Sequence, residues 1–340
     1  MLGNAPFDIE WPRTAVFGVG SVARLGPGLR ELGATRVLLA SDAGLRATGL
    51  VDRVADLLRG AALGVAVDTS VSSNPREAEV EAVHALWEAE GCDAIVALGG
   101  GGTIDAVKGA ILRRLTGRSL NSLFDRGIDE APAAPIRFAA VPTTSGTGSE
   151  ATLGAVLKTP RRKLVLRSPH LRPALTILDP ELVVSLPPRA TAATGMDALM
   201  HALGVLTSSR PHPIGNMVGM EAMRRAAVHI RRAVEDGRDI IFPHVMHVNM
   251  PMARPRYAAI ARLIGAAAQD DPEEAAAERL VDHLTALRDG FGMPTRLGAL
   301  GVGPEMIPEL ARQTALSAAT HGNARPIGTE DAVALYGRMI

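Results

Sequence analysis

An aspartate and a histidine four positions apart are the residues that most directly suggest chemistry. They are Asp197 and His201, in the segment TAATGMDALMHA (191–202). In a helix, this spacing places the carboxylate and the imidazole on one face about one turn apart, where both could bind one divalent cation. Because zinc sites typically use about three or four protein ligands, two ligands alone predict weak and exchangeable binding. The alternative interpretation is a buried hydrogen bond between the two side chains.

A run of glycines suggests a second kind of chemistry. The segment GGGGTID (99–105) follows an apolar strand pattern and opens a helical pattern. The N-terminus of a helix offers unpaired N–H groups and the positive end of its dipole to a phosphate, and glycines let a ligand approach the backbone closely. The run matches neither GxGxxG nor the P-loop pattern. It therefore predicts a phosphate-binding turn of another kind or, alternatively, a flexible connection between strand and helix.

Two further strand ends carry polar side chains. The loop PTTSGTGSE (142–150) is rich in hydroxyl groups that suit the ribose, amide or phosphate of a cofactor, although the same composition is typical of a polar surface loop. Asp42 follows the strand pattern RVLLAS, where a carboxylate can accept hydrogen bonds from ribose hydroxyls and repel a 2′-phosphate. This favours NAD over NADP, but an N-cap of the next turn explains Asp42 equally well.

The secondary structure that must position these residues differs between the two halves of the chain. Before about residue 185, short apolar runs alternate with helical patterns, which predicts a parallel sheet with helices on both faces. Beyond that point the strand signal disappears, and the remaining periodic segments indicate helices. We therefore predict a Rossmann-like α/β N-terminal domain with a parallel sheet over residues 1–183 and an all-α C-terminal domain over residues 184–340.

Composition narrows the class of protein. A formal net charge of zero argues against a protein that binds nucleic acid or a membrane surface. The sequence has no run of about 18 apolar residues and no signal-peptide pattern, so we expect no membrane span and a cytoplasmic enzyme. The single Cys92 cannot form an internal disulfide, which fits a reducing compartment. The only lysines are Lys108, Lys158 and Lys163, retained either where a compact ammonium is needed or through codon bias.

Together these motifs resemble the iron-containing (group III) alcohol dehydrogenase family, which includes maleylacetate reductase and, more distantly, dehydroquinate synthase. GGGGTIDAVKG is similar to the family's GGGSxxD motif, and PTTSGTGSEAT is similar to its PTTAGTGSE motif. RKLVLRSPHLRPALTILDPELVVSLPP and TAATGMDALMHA follow in the expected order. The resemblance implies a dehydroquinate synthase-like architecture with the active site in the cleft between two domains. It also implies hydride transfer between NAD(P)H and a carbonyl compound or alcohol.

The resemblance also implies functional residues at the matching positions. Asp197 and His201 match the first two metal ligands of the family. One departure is Gly102, where the family usually has serine, so a hydroxyl contact is lost while a backbone contact can remain. The positions implied to contact the cofactor are Asp42, Asn74, Gly100, Gly101, Gly102, Thr143, Thr144, Thr152, Lys163 and Leu182.

The other two metal-binding histidines of the family have no counterpart in this chain. In the family, the helix that here ends near DGRD (236–239) is followed by a segment that contains them, whereas here the two flanks join directly. His244 and His247 are not the inherited ligands; they either fold into the vacated position or are ordinary histidines. Helices missing from a packed bundle expose apolar surface unless the bundle repacks or a partner covers it. We therefore expect a homodimer or a larger homo-oligomer.

We expect an NAD(P)(H)-dependent oxidoreductase that interconverts an alcohol and an aldehyde or ketone, a small-molecule substrate that the sequence does not identify. The expected cofactors are NAD, with NADP as an alternative, and Fe²⁺ or Zn²⁺, weakly held. Catalysis is then either assisted by the metal or metal-free, with a protonated histidine or an arginine near the substrate oxygen. The alternative function is a nucleotide-binding homologue with impaired catalysis that acts by association.

Overall fold

The chain contains two compact units. The computed structural model describes residues 13–126, 136–159, 163–209, 212–234, 242–291, 296–316, 323 and 325–340. The chain passes from the first unit to the second between Leu186 and Pro187. The domain boundary predicted from the sequence lies between residues 183 and 184, and the separate roles predicted for the two domains stay predictions.

The first unit is built on a parallel sheet. Six strands form this sheet in the order β1-β8-β5-β4-β2-β3, with all neighbours parallel. The strands β6 and β7 form a separate antiparallel pair. The strands are β1 (Ala15–Phe17), β2 (Arg36–Ala40), β3 (Gly64–Asp68), β4 (Ala94–Gly99), β5 (Arg137–Pro142), β6 (Gly154–Lys158), β7 (Lys163–Arg167) and β8 (Leu175–Leu178).

Helices cover both faces of the sheet. Leu38 of β2 packs in a cluster with side chains of one set of helices, α4 and α5, while its neighbour Leu39 packs with α1 and α3 on the opposite face. Strands covered on both faces are apolar throughout, and all six residues of β4 are buried. The helices of this unit are α1 (Leu25–Glu31), α2 (Ala43–Ala47), α3 (Leu50–Gly60), α4 (Glu77–Ala89), α5 (Gly101–Thr116) and α6 (Leu120–Arg126).

The second unit contains helices and no strand among its described residues. Its first helix begins at Pro188, a residue that fits the first turn because its missing N–H would have no helical acceptor. One apolar cluster joins the first four helices, with Leu199, Met223, Tyr257 and Leu284 among its buried members. The helices are α7 (Pro188–Thr207), α8 (Pro213–Ala233), α9 (Phe242–Leu263), α10 (Glu273–Gly290), α11 (Ile307–Leu316) and α12 (Thr329–Gly337).

This architecture confirms the predicted fold class. A parallel α/β unit comes first in the chain, and a helical unit follows it. Within the described ranges, no helix has the length and apolar character needed to cross a membrane.

Candidate cofactor and metal sites

The sheet topology predicts where a ligand crevice lies in the α/β unit. After β2 the chain moves outward to β3, whereas after β4 it moves in the opposite direction to β5, so the neighbours β2 and β4 form a topological switch point. Ligands of open α/β sheets bind outside the carboxyl ends of the strands at such a point. Asp42 follows β2 and the turn Gly100–Gly102 follows β4, so both predicted cofactor positions flank this crevice.

The glycine turn gives α5 an N-terminus without a side-chain cap. Gly100 is the N-cap residue in extended conformation, and it has no side chain that could accept a hydrogen bond from the first turn of the helix. The first N–H groups of a helix have no helical acceptor, and they carry the positive end of the dipole. With 16 residues, α5 is long enough for its dipole to act on an anion at this end.

Two of the glycines are required by close packing around this N-terminus. A Cβ atom on Gly101 would lie 2.6 Å from the Oγ1 atom of Thr147, and one on Gly102 would lie 2.5 Å from the carbonyl oxygen of Ser73. The second contact is with backbone, which cannot rotate away as a side chain can. It gives a physical reason for the departure from the family's serine at position 102. The same packing holds the backbone before Asn74 against α5.

The hydroxyl-rich loop lies beside the glycine turn. The N–H of Thr143 donates to the carbonyl oxygen of Gly99 at 3.0 Å, which extends the pairing of β4 and β5 by one residue. A Cβ atom on Gly100 would lie 3.1 Å from the Cγ2 atom of Thr144. The structure therefore brings Thr143 and Thr144 together with Gly100–Gly102, as expected if they hold one ligand.

Other predicted cofactor residues have different surroundings. The Oδ1 atom of Asp42 accepts a hydrogen bond from the N–H of Leu45 at 2.8 Å, so Asp42 caps α2. Asn74 is exposed. Leu182 is 2% exposed and packs in the apolar cluster of the sheet, and its contact with a cofactor stays a prediction. Lys163 begins β7, and its side chain lies outside the described part of the structure.

Thr152 is exposed, but it belongs to a network around a buried lysine that the sequence did not predict. Its Oγ1 atom accepts a hydrogen bond from the Nζ atom of Lys108 at 3.0 Å. Asp105 joins the network through Ser149, whose Oγ atom donates to its Oδ1 atom at 2.5 Å. The rarity of lysine was the one signal that pointed to Lys108, but it carried no information about the partners.

The aspartate–histidine pair does lie on one helix face, as predicted. On α7, the Nδ1 atom of His201 is 3.7 Å from the Oδ2 atom of Asp197, and the two side chains are 61% and 41% exposed. This exposure and a separation too long for a hydrogen bond rule out the buried hydrogen-bonded pair within this chain.

The described residues do not complete a metal centre around this pair. Among them, no group of three or more histidine, cysteine, aspartate or glutamate side chains is placed to hold a metal ion. His244 and His247 lie in α9, but the structure does not describe their side chains. The junction at residues 236–239 is outside the described ranges as well. Among the described side chains, Asp197 and His201 therefore supply only two of the ligands that a metal site needs.

Sequence comparison finds a relative that matches over most of both chains. The chain is 30% identical over 368 residues to the NAD-dependent methanol dehydrogenase of Bacillus methanolicus, covering 94% of this chain and 96% of the relative. Since 94% of 340 residues is about 320, about 48 of those 368 positions have no residue in this chain. A chain that is shorter than its relatives agrees with the predicted loss of an internal segment.

Structural comparison and family models give the same assignment. A structure of 1,3-propanediol oxidoreductase has a TM-score of 0.91 and 27% identity, covering 99% of this chain and 100% of its own. The sulfoacetaldehyde reductase of Bifidobacterium kashiwanohense, in complex with NAD⁺, has a TM-score of 0.78 and 25% identity, covering 99% of each chain. The model "Iron-containing alcohol dehydrogenase" matches residues 12–180, and the C-terminal model of the same family matches residues 237–340. The chain belongs to the iron-containing alcohol dehydrogenase family, and it is an oxidoreductase that interconverts alcohols and carbonyl compounds.

Proposed function

We propose that this oxidoreductase uses NAD(H) and holds it at the carboxyl ends of β2 and β4. The observation that carries the proposal is the uncapped N-terminus of α5 at the topological switch point of the sheet. The diphosphate binds the N–H groups of Gly100–Gly102. Thr143 and Thr144 bind polar groups of the cofactor from the neighbouring strand end. When bound, the nicotinamide supplies the hydride or accepts it, while the protein binds and orients the reactants.

Asp42 gives the proposed preference for NAD over NADP. It follows β2, the strand that flanks the crevice opposite the glycine turn. Its Oδ1 atom caps α2, and the carboxylate remains a negative charge next to which a 2′-phosphate is unfavourable. The NAD-dependent relative and the relative solved with NAD⁺ support this choice.

The variant Asp42→Asn separates the two roles of this side chain. Asparagine caps helices as well as aspartate, so α2 and the melting temperature should be unchanged. Removal of the charge should raise kcat/KM for NADPH relative to NADH by roughly tenfold, which corresponds to about 1.4 kcal/mol. The assay follows the loss of reduced nicotinamide with short aldehydes. An unchanged NADH preference in a folded variant would show that Asp42 acts only as a cap.

Small alcohols and aldehydes are the proposed substrates. Relatives named for methanol, 1,3-propanediol and sulfoacetaldehyde support small molecules of this class. Steady-state rates of NADH oxidation with a panel of short aldehydes, ketones and oxo-acids would test the proposal. NADH that binds without turnover on any of them would favour the alternative, a nucleotide-binding protein with impaired catalysis.

The metal and the oligomeric state are further parts of the proposal. Asp197 and His201 would hold Fe²⁺ or Zn²⁺ weakly, because the described residues supply no third ligand. The side chains of Met217, Val218 and Met220 are exposed apolar groups on α8, which supports a homo-oligomer. Sedimentation analysis would test the oligomeric state. The cytoplasmic location stays a prediction.

A further inference from the structure

A fully buried lysine lies two turns beyond the glycine turn of α5. Lys108 is 0% exposed. Its Nζ atom donates to three carbonyl oxygens, those of Ser149 at 2.6 Å, Thr152 at 2.8 Å and Gly154 at 2.8 Å. It also lies 3.0 Å from the Oγ1 atom of Thr152. Four oxygen atoms of one short segment therefore surround one ammonium group.

A second side chain of α5 binds the same segment. The Oδ1 atom of Asp105 accepts from the hydroxyl of Ser149 at 2.5 Å, and its Oδ2 atom accepts from the N–H of Val156 at 2.9 Å. Asp105 and Lys108 are three residues apart and share a helix face. The helix that presents its N-terminus to the proposed diphosphate thus also fixes the backbone from Ser149 to Val156.

Only a protonated lysine suits this arrangement. An ammonium has three N–H donors that can be shared among four oxygens, whereas the planar fork of arginine cannot direct its donors to one point. Burial lowers the pKa of Lys108 to about 8, and the charges of Asp105 and Glu150 oppose that change. Above this pH the neutral amine keeps two donors and turns a lone pair towards carbonyl oxygens.

We propose that Lys108 is a positioning residue for the cofactor: it fixes the segment Ser149–Gly154, and with it Thr152, relative to the N-terminus of α5. The inference rests on the proposed function, since Thr152 is one of the positions that the family resemblance implies to contact NAD. The inference goes beyond the proposed function, because Lys108 itself need not touch the cofactor. Affinity for NADH should then depend on the protonation of a side chain that is buried within the protein.

The test measures NADH dissociation constants from nicotinamide fluorescence as a function of pH. For the wild-type protein we expect the constant to rise about fivefold between about pH 7 and pH 9, as one of the hydrogen bonds is lost. Lys108→Met should bind NADH roughly tenfold more weakly at about pH 7, with no further change up to about pH 9. The KM for NADH should rise with the dissociation constant, while kcat at saturating NADH changes less.

The matched control is Lys158→Met, the same substitution at an exposed lysine of β6. This variant should keep the wild-type affinity and the wild-type pH profile. A role of Lys108 in stability alone would lower the melting temperature of Lys108→Met without moving the NADH affinity of the folded protein or its pH dependence, and that result would overturn the proposal.

Two further outcomes are also decisive. If Lys108→Met does not fold, the wild-type pH profile decides: a midpoint near the pKa of Lys108 supports the proposal, and a flat profile overturns it. If the wild-type protein binds no NADH at any pH, the proposed function itself fails, and the role of Lys108 fails with it. NADH binding that is unaffected by Lys108→Met overturns only the inference about Lys108.

Discussion

The substitution Gly102→Ala tests the packing that shapes the proposed diphosphate site. The added methyl group would lie 2.5 Å from the carbonyl oxygen of Ser73, 2.8 Å from its carbonyl carbon and 3.1 Å from the carbonyl oxygen of Ser72. All three atoms belong to the backbone, so relief requires the segment before Asn74 to move away from α5. A shift of at least 0.5 Å is needed to bring the first contact to 3.0 Å.

Two opposing effects set how much Gly102→Ala changes the free energy of unfolding. Alanine is favoured over glycine in a helix by about 1 kcal/mol, and less than that in the first turn. Forcing an extra carbon into a packed contact costs about 1–3 kcal/mol. The matched control is Gly60→Ala in α3, where a Cβ atom would meet nothing within 4 Å, so only the favourable effect remains. We therefore expect Gly102→Ala to be less stable than Gly60→Ala by about 1–3 kcal/mol.

Urea unfolding followed by fluorescence would measure the difference in the free energy of unfolding. Trp87 is buried in the core of the α/β unit and reports on this part of the protein. Displacement of Asn74 should also raise the dissociation constant for NADH by roughly tenfold, which Gly60→Ala should not do. Equal stabilities and equal NADH affinities of the two variants would refute the argument that Gly102 is required by the approach of Ser73.

Two other substitutions test the core of the α/β unit and the metal pair. Asp179 is 3% exposed and accepts hydrogen bonds from three backbone N–H groups, those of Gly20, Val22 and Glu181. Asp179→Ala leaves these three donors unpaired. It should lower the free energy of unfolding in urea by about 3 kcal/mol or more. A loss below about 1 kcal/mol would contradict this account. Asp197→Ala should abolish a weak, dialysable Zn²⁺ signal in calorimetry, whereas tight wild-type binding would reveal additional ligands.

Local patterns in the sequence predicted the framework of the site. The apolar run of β4, the glycines after it and the helical period of α5 are consecutive in the chain, so their meaning depends little on distant residues. The same is true of Asp197 and His201, whose common helix face follows from their spacing alone. These parts of the prediction required only short-range geometry.

Contacts between residues that are far apart in the chain could not be predicted from the sequence. Lys108 and its acceptors are 41 to 46 positions apart, and the approach of Ser73 to Gly102 depends on how a loop packs against the N-terminus of α5. Leu182 matched the family at a cofactor position, yet its side chain is buried among apolar neighbours. For Asp42 the sequence offered a cap or a ribose contact, and the cap is present, while the ribose contact stays a prediction.

The burial of Lys108 allows the unfolding of the α/β unit to be followed by proteolysis. A lysine-specific protease has three possible cleavage points in the whole chain, and one of them lies inside α5 with no exposed surface. Cleavage there requires that the helix detach from the sheet. The rate at which a fragment ending at residue 108 accumulates would therefore time the unfolding of the α/β unit, and its slowing by NADH would measure ligand protection without any label.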